Sequence, residues 1–151
     1  MEIVVNEWLL DYLRPDAQES DRMAAGQFVI ALMKSSDKIV IKNPSPFVNK
    51  FYDYMSRFGW DARSRKQFSD LYKLVFLDPD RTIIADESDL QDLPKDIAAK
   101  TPTEDKYLIE LWCLKQERIV LTTDARLKEK LKDIPNLKIC LLEEFLQEYP
   151  A

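Results

Sequence analysis

The sequence predicts an α/β fold: a central parallel sheet of about five strands between two layers of helices. Short runs rich in Ile and Val recur at Ile3–Val5, Ile39–Ile41, Thr82–Ala85, Ile119–Leu121 and Leu137–Leu142. Most are continuous rather than alternating in polarity, as in strands covered on both faces. Helical periods separate them, and that alternation favours parallel strands joined by right-handed crossovers.

Each element has its own signal. After the first strand, Asn6 closes it, and Leu9, Leu10 and Leu13 mark a short helix over Glu7–Arg14, stopped by Pro15. Ser20 is placed to cap a helix carrying Met23 to Met33, apolar around much of its circumference and therefore expected to be well buried. The second strand ends in the turn Asn43-Pro44-Ser45-Pro46. Phe47, Val48, Phe51, Tyr52, Met55 and Phe58 follow a helical period, with Gly59 at the expected C-terminal cap. Phe68, Leu71, Tyr72 and Val75 give an apolar side to a helix over Ala62–Phe76, which Pro79 ends. Asp86 closes the third strand, and Asp86–Lys100 reads as an acidic loop with at most a helical turn. Glu143–Tyr149 is the last helix.

Thr101–Leu127 carries the most specific pattern. Thr101, Pro102 and Glu104 spell a capping box with proline at the first helical position. Leu108, Leu111 and Trp112 then share one helix face, and Asp105 lies one turn before Leu108 on it. Ile119-Val120-Leu121 leads into Thr122-Thr123-Asp124, and Leu127 and Leu131 resume a helix. In open α/β sheets, sites form beyond the carboxyl ends of the strands. Those ends carry Asn6, Asn43, Asp86 and Asp124, with Asp105 arriving from a helix N-terminus.

Composition narrows the chemistry. The 151 residues suffice for one domain with a sizeable core, and 46% apolar with 32% charged residues fits a soluble, cytoplasmic globular protein. No apolar run has the length of a membrane span, and no signal-peptide pattern opens the chain. Cys113 and Cys140 fall in apolar runs and read as buried thiols. The absence of histidine excludes Ser-His-Asp, Cys-His and histidine-bound zinc chemistry. Two distant glycines, Gly26 and Gly59, cannot build a phosphate-cradling loop. With 27 Asp+Glu, hard-metal chemistry on oxygen ligands is the enzymatic option left. A net charge of −5 argues against a generally cationic nucleic-acid binder, though not against a local patch.

Two motifs and the element order resemble the PIN-like domain family, the fold of many metal-dependent ribonucleases, including toxins of toxin–antitoxin pairs. Glu104-Asp105-Lys106-Tyr107-Leu108-Ile109-Glu110-Leu111 is similar to the family's third acidic motif. Ile119-Val120-Leu121-Thr122-Thr123-Asp124 is similar to its fourth, and Ile3 to Leu13 resembles its first strand and helix. The resemblance covers essentially the whole chain and implies the strand order 3-2-1-4-5, with Asn6 beside Asp124. It implies hydrolysis of RNA phosphodiesters with Mg²⁺ or Mn²⁺ held by Asp105 and Asp124, and Asn6 as an auxiliary ligand. Thr122 or Thr123 would hold a water or a phosphate oxygen. An antitoxin-like protein and a homodimer are the partners it implies. The chain departs from the family at two places: Asn6, or Val5 if the alignment is shifted by one, stands where an aspartate is usual, and Asn49 and Lys50 occupy the region of a usual glutamate. Asn is a neutral, weaker ligand for Mg²⁺ or Mn²⁺. Glu7, Glu104, Asp86 and Asp89 are the carboxylates that could replace the missing ones. The departures leave a second reading, a catalytically inactive module that binds RNA or a protein.

The same residues have structural readings. Asp124 before a helix is an ordinary N-cap, and Asp105 in a first turn is favoured by the helix dipole. Asp86, Glu87 and Asp89 read as a solvated loop. Arg57–Lys73 interleaves Arg63, Arg65 and Lys66 with Phe58, Trp60, Phe68 and Tyr72, which could grip an RNA backbone and stack bases. The favoured reading is a solvated helix face with its aromatics turned to the core.

Overall fold

The computed structural model describes residues 1–56 and 60–149. Strands β1 (Glu2–Val5), β2 (Lys38–Lys42), β3 (Thr82–Ala85), β4 (Ile119–Thr122) and β5 (Lys138–Leu141) form one parallel sheet in the order β3-β2-β1-β4-β5. The expected fold class and strand order are therefore present. The chain runs from β1 outward to β2 and β3, then returns to add β4 and β5 on the other side of β1. The direction of winding reverses between β1 and β4, which pair through Ile3 with Ile119, Val4 with Val120 and Val5 with Leu121.

Helices α1 (Trp8–Tyr12), α2 (Glu19–Lys34), α3 (Pro46–Met55), α4 (Ala62–Tyr72) and α8 (Leu142–Glu148) contribute to the core on one face of the sheet. Helices α5 (Lys95–Lys100), α6 (Lys106–Leu114) and α7 (Ala125–Lys130) contribute to the core on the other. Successive strand residues serve opposite layers: Ile3 and Val5 enter the first core and Val4 the second. Coverage on both faces explains the continuous apolar runs of β1, β2 and β4, whereas Ile84 of the edge strand β3 stays exposed.

Several local expectations change. Helix α2 begins at Glu19, after Gln18, so Ser20 lies inside its first turn and does not cap it. Its buried stripe is Ala25, Phe28, Val29 and Leu32, while Met23, Ile30 and Met33 face solvent. The broad apolar circumference therefore overstated its burial, because only one side meets the sheet. Ser45 caps α3 by accepting a bond from the Val48 amide at 3.2 Å, followed by Pro46 at the first position. The predicted Gly59 cap lies outside the described residues. Helix α4 is capped by Asp61 and continues as a π-helical turn over Lys73–Leu77. Asp86–Lys100 contains a short 3₁₀ turn and the helix α5. The capping box expected at Thr101 is absent. The Thr101 hydroxyl donates instead to the Ile97 carbonyl at 2.7 Å, closing α5, and a 3₁₀ turn over Thr103–Asp105 precedes α6. Cys113 and Cys140 are free and half-buried.

A polar network joins the helices on the first face. The buried Arg22 donates to Asp61 at 2.8 Å and to Ser64 at 3.0 Å. Ser64 is fully buried and donates to the Leu13 carbonyl at 2.7 Å. One hydroxyl thus ties the end of α1 to α2 and α4. Ser64→Ala strands two buried partners and is expected to lower stability by about 1–3 kcal/mol in equilibrium urea unfolding. A loss below about 0.5 kcal/mol, the level of an ordinary surface change, would contradict the role given to this hydroxyl.

Candidate functional site

The β1–β4 pairing places Asn6 and Glu7, which follow β1, beside Thr122, Thr123 and Asp124, which end β4. This is the reversal point of the sheet, where open α/β folds place their ligands. Alternation gives Thr122 the same side as Val120, the side covered by α6. Asp105 immediately precedes α6 on that side.

These residues feel one another. Asp105 is half-buried, and its carboxyl is pushed up to about 6. Burial is the largest cause, followed by the negative charges of Glu104, Asp124 and Glu7, with Lys130 opposing. Asp105 makes no side-chain capping bond to α6. The start of a helix favours an anion, but burial and like charges outweigh that here. The sequence-predicted pair Asp105 and Asp124 is therefore brought within electrostatic reach of one another at this end of the sheet, with Glu7 as a third carboxylate acting on Asp105.

The other groups are held in defined ways. One Asp124 oxygen accepts the amides of Arg126 at 2.9 Å and Leu127 at 3.2 Å, so Asp124 is an N-cap as well as a crevice residue. Its own amide donates to the buried Thr122 hydroxyl at 3.1 Å. Glu7 accepts the Tyr107 hydroxyl at 3.1 Å. Burial first, and then Glu7, drive the Tyr107 phenol far above its ordinary value, so it stays a protonated donor. The Asn6 side-chain oxygen is buried and has no hydrogen-bond partner. An acceptor left bare in this way is costly unless a cation or a donor meets it.

Cations flank the crevice on the α3 side. Lys50 donates to both Asp11 oxygens, at 3.0 and 3.1 Å, and its charge also reaches Glu7. Burial works against the Lys50 ammonium, but the Asp11 bonds and charge outweigh it and hold its pKa above the ordinary value. Tyr54 donates to Asp11 at 2.7 Å, and Arg14 lies 5.3 Å from the Tyr54 ring centre.

The remaining expectations fall elsewhere. Asp86 and Asp89 cap their own turn after β3, with the Asp86 amide donating to Asp89 at 2.8 Å, and neither is among the charges acting on Asp105. Thr123 is exposed and lines a cavity of about 540 Å³ with Tyr12, Asp21 and Glu143. Arg63 pairs with Glu19 and Lys66 with Asp70, while Phe68 is buried in the core. Sequence reasoning did not single out Tyr107. Its signal was its place two residues after Asp105, which puts it in the same first turn. Comparison with protein-family models, curated proteins and solved structures finds no match.

The raised Asp105 carboxyl has a stability consequence. Its folded value of about 6 lies above the ordinary 3.8, so the folded state binds more protons between those limits. Stability should therefore fall as pH rises from about 4 to about 6 and stay lowered above that. In EDTA, Asp105→Asn should raise the melting temperature at neutral pH. That gain should vanish below about pH 4, where the wild-type carboxyl is neutral too. A gain independent of pH would show that the site does not repel the Asp105 charge.

Proposed function

We propose that the chain is a PIN-like domain that hydrolyses phosphodiester bonds of RNA at the β1–β4 crevice with Mg²⁺ or Mn²⁺. The observation that carries the reading is the excess of negative charge there: Asp105 is raised to about 6 beside Glu104, Asp124 and Glu7, which Lys130 only partly offsets. The Asn6 side chain, just after β1, carries a buried oxygen with no hydrogen-bond partner. The strand order and the two acidic motifs support the family assignment.

The donor set fits a hard cation of the kind that uses few protein ligands. Among the described residues no group of three His, Cys, Asp or Glu could hold a metal ion. Mg²⁺ commonly binds through one or two carboxylates and completes its shell with water and substrate phosphate. Asp105 and Asp124 would supply those two carboxylates, and Asn6 would be the neutral addition beside them. When bound, such an ion lowers the pKa of a water and stabilises charge on phosphate oxygens. The chain's own residues supply the rest. Tyr107 orients Glu7 through its protonated hydroxyl, and Glu7 accepts a proton from an attacking water. Thr122 fixes the backbone at Asp124. Lys50, restrained by Asp11, offers positive charge to the incoming phosphate.

The alternative is a catalytically inactive PIN-like module that binds RNA or an antitoxin-like protein, as a monomer or homodimer. Two observations favour it: the rim carries Asn6 in place of a carboxylate, and Lys50 already places a cation near Glu7. Manganese titration separates the two. The nuclease reading expects Mn²⁺ heat by calorimetry and Mn²⁺-dependent cleavage of single-stranded RNA. Asp105→Asn and Asp124→Asn should each reduce cleavage by roughly a hundredfold or more, the scale expected for loss of a charged catalytic group. Asn6→Asp should tighten Mn²⁺ by about tenfold, because it adds a charge to the ligand set. Intact RNA or partner binding without Mn²⁺ heat or cleavage would establish the inactive module instead.

A further inference from the structure

A second concave feature lies between α3 and α4. Tyr54, Trp60, Arg65, Phe68, Ser69 and Tyr72 line a groove of about 240 Å³. Its rings are held against one another: Trp60 meets Phe68 edge-on at 4.7 Å, and Tyr54 meets Trp60 at 5.7 Å. Phe68 and Tyr54 are buried, whereas Trp60 and Tyr72 are only partly covered and present ring surface at the groove. Arg65 is exposed at the groove. Among the described residues it has no ion-pair partner, unlike Arg63 with Glu19 and Lys66 with Asp70. Trp60 and Tyr72 pack against the core on one side, Tyr72 stacking on Phe51, and leave their other side at the groove beside the Arg65 guanidinium.

The chemistry complementary to this groove is a flat ring that carries a negative charge. Base–aromatic stacking tolerates any base, and a guanidinium matches phosphate geometry. Tyr54 links the groove to the charged groups on the α3 side. Tyr54 forms part of its wall and donates its hydroxyl to Asp11, the carboxylate that holds Lys50. Arg14 and Lys50 lie 5.3 and 5.9 Å from the Tyr54 ring centre, and the Lys50 charge reaches Glu7. Arg14 and Lys50 are paired with Asp16 and Asp11, so each is held in place beside this path.

We infer that the α3–α4 groove is a nucleotide subsite. It seats one base of a single-stranded nucleic acid against Trp60 and Tyr72, with that nucleotide's phosphate on Arg65. The strand then runs past Arg14 and Lys50 to the carboxylate crevice. This last step rests on the reading of the crevice as the place where RNA is processed; the seating of the base does not.

Tryptophan fluorescence tests the seating. Trp8 and Trp112 are buried, which leaves Trp60 as the tryptophan that a stacked base can quench. A short single-stranded oligoadenylate added in EDTA should quench emission saturably, and binding should weaken steeply with salt. Adenosine monophosphate should bind at least about tenfold more weakly, because it lacks the neighbouring phosphates. With a fluorescently labelled strand followed by anisotropy, Trp60→Leu and Arg65→Gln should each weaken binding by about tenfold, and Trp60→Phe should largely preserve it. Circular dichroism of each variant checks the fold. Unchanged affinity in both Trp60→Leu and Arg65→Gln, or binding without quenching, would overturn the subsite. Equal affinity for the mononucleotide would overturn the strand as occupant. Groove-dependent binding without manganese-dependent cleavage would leave the subsite standing and remove the nuclease reading. Cleavage that survives undiminished in Trp60→Leu and Arg65→Gln would do the reverse.

Discussion

The parallel pairing of β1 with β4 is the constraint on which the rest of the molecule depends. These two strands are consecutive in space but separated in sequence by most of the chain. Their register, Val5 opposite Leu121, sets Asn6 and Glu7 beside Thr122 and Asp124. The Trp8 indole reinforces it by donating to the Leu121 carbonyl at 2.9 Å. A slip by one residue would turn Val5 and Leu121 away from their core and rotate Thr122 off the α6 side. Apolar burial thus fixes the position of polar groups that have no strong attraction of their own.

The crevice that results is under electrostatic strain. Asp105 is partly withdrawn from water and faces other carboxylates, a combination that disfavours its charged form. A helix that needed only a stable start would do better with Ser or Thr capping it. Asp124 shows the contrast: its capping bonds are ordinary, and it alone would carry no functional meaning. The functional argument comes from the conjunction of repelling carboxylates and the bare Asn6 oxygen, since buried polar groups are normally satisfied.

The opposite flank is arranged differently. There the charged groups are paired: Lys50 with Asp11, Arg14 with Asp16, Arg22 with Asp61. Tyr54 links this flank to the aromatic groove, because its hydroxyl meets Asp11 while its ring packs on Trp60 and Phe68. A chain with a net charge of −5 can therefore still present restrained positive charge beside its most acidic feature. Local fields of this kind, rather than net charge, decide where an anionic polymer can approach.

The sequence by itself determined the layers, the strand positions and the parallel sheet. Those follow from the spacing of apolar residues, which is a local property and survives in one dimension. It also marked Asp105 and Asp124, because both sit at boundaries between a polar end and an apolar run. It misplaced the helix starts near Ser20 and Thr101, because a hydroxyl can bond backward or be bypassed at little cost in energy. It overstated the burial of Met23, Ile30 and Met33, because periodicity cannot say how wide the contacting surface is. Only the tertiary structure decided that Glu7 joins Asp105 while Asp86 and Asp89 stay apart, that Tyr107 holds Glu7, and that Arg63 and Lys66 find ion-pair partners while Arg65 has none among the described residues. Those facts depend on distances across the sheet and between helices, which are set by packing after the chain has closed on itself.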